Sequence, residues 1–136
     1  PDDDRNDLVT HVYDITYGSV KPNDNLVIID DSIVRGTTSK RLVKILRDSG
    51  AKEIHFRSVS PPIIAPCFLG IDTPKKDDLI AANMSVEELK DYLGVDSLEF
   101  LSIDNLKVIL GSSDHCFGCF TEKYPVNKPK ETHLFD

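Results

Sequence analysis

Two groups of side chains in this sequence could do chemistry. The first is contiguous: Asp30 and Asp31 follow the apolar run Leu26 to Ile29 and lead directly into Ser32-Ile33-Val34-Arg35-Gly36-Thr37-Thr38-Ser39. Adjacent carboxylates offer hard oxygen donors to a cation such as Mg²⁺, or acceptors to sugar hydroxyls. Gly36 lets the backbone turn sharply. Thr37, Thr38 and Ser39 set hydroxyls beside amides at what reads as a helix N-terminus, where the peptide dipoles favour a phosphate. The two acids stand too close to such a phosphate to be its ligands, so the stretch predicts a phosphorylated sugar accompanied by a metal ion.

The second group is dispersed. Cys116-Phe117-Gly118-Cys119 has the C-x-x-C spacing that lets two thiolates meet one metal centre from a tight turn, and Cys67 lies about fifty residues upstream on a proline-rich loop. Three cysteines are an odd number for a disulfide framework, and a third thiolate favours a metal site over a redox dithiol. A thioredoxin-like motif would also open a helix, whereas Pro125 and a polar tail follow here. Two states stay open for the thiols at this point: a metal site, such as a zinc ion shared with His115 or water, and free thiols.

The elements that must position these groups are legible from periodicity. Leu26 to Ile29 reads as a buried strand after a turn at Lys21 to Asn25. A helix from about Thr38 places Leu42, Ile45 and Leu46 on one face and Lys40, Arg41, Lys44 and Arg47 outside, and it closes at Gly50. A second strand over Glu53 to Ser60, with Ile54, Phe56 and Val59 inward, completes a right-handed βαβ unit and so a parallel sheet. His55 and Arg57 then face the other way, and His55 reads as structural. The prolines of Ser60 to Asp72 impose a fixed loop, with Asp72 as a cap. Ser85 and Glu88 form a capping box for a helix that buries Val86, Leu89, Tyr92 and Leu93 and stops at Gly94. A short strand at Leu98 to Leu101 and a short helix at Asp104 to Leu110 follow. The architecture predicted is α/β, with three or four parallel strands and helices on the sheet faces.

At 136 residues the chain suits one domain. Residues 1–24 read as a charged arm or linker and 25–136 as the portion that holds the phosphate turn and the cysteines. The start at Pro1, without a methionine, leads us to expect a segment of a longer protein. A net charge of -7 excludes a basic nucleic-acid surface and a polybasic membrane patch, and no apolar run is long enough to span a membrane. The cytoplasm is the expected location.

Four apolar residues, two acids and a Gly/Thr turn resemble the phosphoribosyl pyrophosphate (PRPP) motif of type I phosphoribosyltransferases. The fuller wording Asp30 to Thr38 resembles the glutamine PRPP amidotransferase family, with support from Gly70-Ile71-Asp72 after Pro66-Cys67-Phe68 and from Cys119-Phe120-Thr121 before Lys123-Tyr124-Pro125. The resemblance implies a partial type I phosphoribosyltransferase fold, here its C-terminal portion and inactive alone. It implies PRPP bound by Asp30, Asp31, Ser32, Arg35, Gly36, Thr37, Thr38 and Ser39, with Mg²⁺ at Asp30 and Asp31. Glutamine-derived ammonia is the second substrate, purine nucleotides are feedback ligands, and a homo-oligomer is expected. It further implies a [4Fe-4S] cluster on Cys67, Cys116 and Cys119, with a fourth ligand upstream of residue 1. Other readings are a PRPP-binding regulator, a base phosphoribosyltransferase of the same fold, and a small metal-binding interaction module.

Overall fold

The computed structural model describes residues 19–112 and 114–127. The charged start and most of the arm expected over residues 1–24, like the tail beyond 127, lie outside them.

In chain order the elements are β1 (Asn25–Asp30), α1 (Thr37–Asp48), β2 (Glu53–Ser58), a 3₁₀ turn (Lys76–Asp78), α2 (Ile80–Asn83), α3 (Val86–Leu93), β3 (Ser97–Phe100), α4 (Ile103–Leu110) and α5 (Gly118–Thr121). Among the described residues the sheet has three strands in the order β1-β2-β3. Both pairings are parallel, with Leu26 beside Ile54, Ile28 beside Phe56, and Phe56 beside Leu98. The α/β architecture and parallel sheet are as expected.

One face of the sheet carries the core. Ile54 and Phe56 are fully buried from β2, and Val43 and Leu46 of α1 with Leu89 and Leu93 of α3 close over them. Each large side chain so buried contributes about 1.5–3 kcal/mol. Val43 lies deeper than the Ile45 assigned to that face, because the stripe is centred on Val43 and Leu46. Gly50 follows the helix at φ 104°. The Ser85 capping box is present in full, with the Glu88 N–H donating to Ser85 Oγ and the Ser85 N–H to Glu88. Val86 is 45% exposed rather than buried.

The other face differs from expectation. Val27 and Ile29 are 63% and 72% exposed, so β1, expected as a buried strand, is half-buried on one side and exposed on the other. A parallel strand is buried on both sides only when both faces of its sheet are covered, and the described residues put nothing over these two. Beside them His55 Nδ1 lies 2.9 Å from Ser97 Oγ, Arg57 donates to the same oxygen at 2.9 Å, and Arg57 pairs with Glu99 at 3.6 Å. His55 is therefore held by structural partners. Val59 falls outside β2 and is exposed, because the strand ends at Ser58, whose side chain takes the inward position.

Arg47 does not point into solvent. It donates to the Lys52 and Gly94 carbonyls and to Asp96 Oδ2 at 2.7 Å, while Asp96 Oδ2 also accepts the Ile54 N–H at 2.7 Å. The end of α1, the start of β2 and the entry to β3 thus share one knot. It fixes the end of the sheet opposite the phosphate turn.

Candidate functional site

The backbone leaves β1 at Asp30 and reaches α1 at Thr37 through a turn that Gly36 makes possible. Gly36 is the N-cap at φ 74°, a left-handed conformation that costs other residues roughly 1–2 kcal/mol. A Cβ on it would also stand 2.7 Å from Ile80 Cδ1. Ile33, 1% exposed, anchors the turn in the core, and Lys40 N–H donates to Gly36 O at 2.9 Å as the first bond of the helix. The amides ahead of Lys40 have no acceptor one helical turn back and are left for a ligand.

A cleft of about 390 Å³ opens over this turn. It is lined by Asp30, Asp31, Ser32, Val34, Arg35, Gly36, Thr37, Thr38 and Ser39, so all eight residues singled out for a phosphosugar meet in one place. Thr37 and Thr38 are exposed at the mouth and Ser39 is buried. Asp31 accepts the Ser32 hydroxyl at 2.9 Å, and its own N–H donates to Asp30 Oδ1 at 3.0 Å. Burial pushes the Asp30 carboxyl above its usual range, the bond from the Asp31 N–H lowers it, and the Asp31 charge raises it again. Two adjacent carboxylates with hard oxygens at a cleft fit a divalent cation, which would relieve that repulsion. Arg35, the remaining predicted residue, stands 3.9 Å from Asp78 and is half exposed.

The cysteines lie on two separate segments that the backbone ties together. Ile64 and Ala65 both donate N–H groups to the Cys119 carbonyl, at 2.9 and 3.1 Å, and the Tyr124 hydroxyl donates to Pro66 O at 2.6 Å. The Phe68 and Tyr124 rings pack with centroids 4.3 Å apart. Gly118 lies against the Tyr124 ring with no room for a side chain. Burial pushes the Cys119 thiol up, its own backbone N–H lowers it, and Cys67 and Cys116 raise it further. The three thiols therefore share one neighbourhood. Leu69 N–H points at Cys67 Sγ at 3.3 Å and Gly118 N–H at Cys116 Sγ at 3.5 Å.

Among the described residues no three His, Cys, Asp or Glu side chains are arranged around a single ion, and His115 is exposed. Soft thiolate donors suit zinc and iron-sulfur centres alike. The C-x-x-C motif does open a helix, contrary to expectation, but α5 has only four residues and offers little dipole. Asp72 is exposed and caps nothing: the 3₁₀ turn begins at Lys76 with Lys75 in the capping position. Asn83, Ile80 and Tyr124 were not assigned a place around these sites from the sequence. Only Tyr124 had a signal, its position just after the C-x-x-C motif.

A parallel sheet whose first strand ends in two acids and a glycine turn opening a helix defines a phosphoribosyltransferase-type fold. Comparison with known proteins narrows this. The chain is 56% identical over 108 residues to amidophosphoribosyltransferase 2, chloroplastic, of Arabidopsis thaliana, covering 78% of this chain and 19% of that protein. It is 50% identical over 110 residues to the amidophosphoribosyltransferase of Archaeoglobus fulgidus, covering 78% and 24%. Among solved structures, the glutamine PRPP amidotransferase from B. subtilis complexed with ADP and GMP matches with a TM-score of 0.78 at 42% identity, over 94% of this chain and 30% of that one. A structure described as the allosteric regulatory enzyme of purine biosynthesis matches at 0.74 and 45%, over 83% and 26%. No protein-family model matches the chain. The chain belongs with the amidophosphoribosyltransferases, and it spans about a fifth to a quarter of the length of these curated relatives. No helix among the described residues is long and apolar enough to cross a membrane.

Proposed function

We propose that the chain is the PRPP-holding segment of an amidophosphoribosyltransferase, the enzyme that opens purine synthesis by replacing the pyrophosphate of PRPP with ammonia drawn from glutamine to give 5-phosphoribosylamine. The observation that carries this reading is the convergence of all eight predicted residues on one cleft at the strand-to-helix turn. The glutamine-hydrolysing part lies outside this chain in our reading, and the segment is inactive alone.

Displacement at the anomeric carbon builds positive charge on the ribose ring and negative charge on the departing pyrophosphate, so both ends of the substrate must be held while charge separates. The free amides at the start of α1 and the Thr37 and Thr38 hydroxyls grip the 5-phosphate. Asp30 and Asp31 orient the ribose hydroxyls, and their carboxylates favour the positive ring. Mg²⁺, when bound, supplies neutralisation of the leaving group, and Asp30 and Asp31 would hold it directly or through water. Arg35 adds positive charge at the mouth of the cleft. Cys67, Cys116 and Cys119 would hold three corners of a [4Fe-4S] cluster whose role is to tie the loop at Pro66 to the turn at Gly118. Purine nucleotides as feedback ligands, a homo-oligomer and a reducing cytoplasmic compartment complete the reading.

The test is substitution of both acids. In the complete protein, Asp30→Asn with Asp31→Asn should raise the KM for PRPP at least about tenfold, in line with losing charged groups that act on a separating charge. An unchanged KM would remove the role assigned to them.

A further inference from the structure

The 3₁₀ turn and α2 make a corner, residues 76–83, that supplies no lining to the phosphate cleft yet touches its turn from behind. Ile80 donates its N–H to the Val34 carbonyl at 3.0 Å. Its side chain, 8% exposed, lies over Gly36, and Cδ1 fills the space where a Cβ would stand. Asp78 faces Arg35 from the same corner. A single side chain holds the corner in shape: Asn83 Nδ2 donates to Leu79 O at 2.8 Å and Asp77 O at 3.0 Å, with Lys76 O at 3.4 Å. At the far end Lys76 pairs with Glu122, beside the cysteine turn.

A phosphate turn works only if its amides are aimed before the ligand arrives, because amides that must reorient lose much of their advantage. Here the carbonyl two residues before Gly36 is held by a hydrogen bond, and Gly36 itself by a methyl contact. Both come from Ile80. We propose that the corner is the positioning element of the phosphate turn, with Ile80 as its contact and Asn83 as the side chain that keeps it rigid. The inference rests on the phosphosugar reading of the cleft. Neither residue lines that cleft, so both act through the turn.

Two variants test this with little change to the core. Ile80→Val removes Cδ1 alone, and Asn83→Asp keeps the shape of the side chain while removing both N–H donors. Hydrogen exchange at the Lys40 amide, bonded to Gly36 O, and at the Ile80 amide, bonded to Val34 O, measured on unliganded protein, should accelerate in both variants, while the β2 amides, which report global opening, stay protected. Affinity for PRPP with Mg²⁺ should fall about tenfold, the scale of a turn misplaced by a fraction of an ångström. In the complete enzyme this should appear in KM for PRPP, with kcat within about twofold. If wild type binds PRPP and both variants match it in turn exchange and affinity, the corner has no positioning role. Accelerated turn exchange in a protein whose wild type does not bind PRPP would instead overturn the phosphosugar reading and leave the corner's hold on the turn intact.

Discussion

Gly118 has no room for a side chain, because the Tyr124 ring occupies the space a Cβ would need. That ring in turn holds Phe68 and the Pro66 carbonyl, so one missing methyl group lets the loop of Cys67 close on the turn of Cys116 and Cys119. Gly118→Ala should lower stability by about 1–3 kcal/mol through this overpacking. In complete protein prepared without oxygen, iron and acid-labile sulfide should be present in equal amounts, and the variant should lower both together with the melting temperature. Stoichiometric zinc in their place would contradict the cluster. The sequence showed the cysteines and their spacing but not this packing, because Gly118 reads there only as a spacer. Gly36 was legible, since an acid pair and a threonine pair on either side of a glycine leave few other conformations for the turn. Asp72 was misread for the opposite reason: an acid after a proline-rich loop looks like a cap, and only the start of the 3₁₀ turn at Lys76 shows otherwise.

Among the elements, β2 and its approach from β3 depend on Asp96, which accepts from the Ile54 N–H and from Arg47. The Ile54 N–H, with Arg47 and its charge, holds the Asp96 carboxyl below the usual carboxylate range. Its folded value thus lies under its unfolded value of about 3.9, and the stabilisation is complete above that pH and lost as pH falls through the lower folded value. The side chain is 41% exposed, so screening keeps the contribution to about 1 kcal/mol. Asp96→Ala should lower the urea midpoint by a constant amount at pH 5–6, and the gap to wild type should narrow below about pH 4. A gap that is the same at pH 3 and pH 6 would mean that the carboxylate charge plays no part. The elements themselves were legible: the capping box at Ser85 and the period of α1 come from local chemistry that survives folding. The Arg47 knot was not, because an arginine on the polar face of a helix looks the same whether it meets water or an acid 49 residues away.

For the molecule as a whole, the parallel βαβ order places the two acids at the carboxyl end of β1 and the helix start just beyond, which is why a cleft forms there and not at the other end of the sheet. This placement followed from the order of apolar runs alone. The bare outer face at Val27 and Ile29 did not, since what covers a sheet face is decided by chain that is distant in sequence or belongs to another subunit. Among the described residues that face and the outer edge of β1 have nothing packed on them, and they are the surface that the homo-oligomer of our reading would use. The central claim remains the cleft, and the most direct measurement is a titration of the chain with PRPP and Mg²⁺ followed by backbone amide NMR. Shifts that saturate and centre on Asp30 to Ser39, with the largest at Gly36 to Ser39, are the predicted result. An unperturbed turn at saturating PRPP, or shifts confined to another part of the chain, would contradict it.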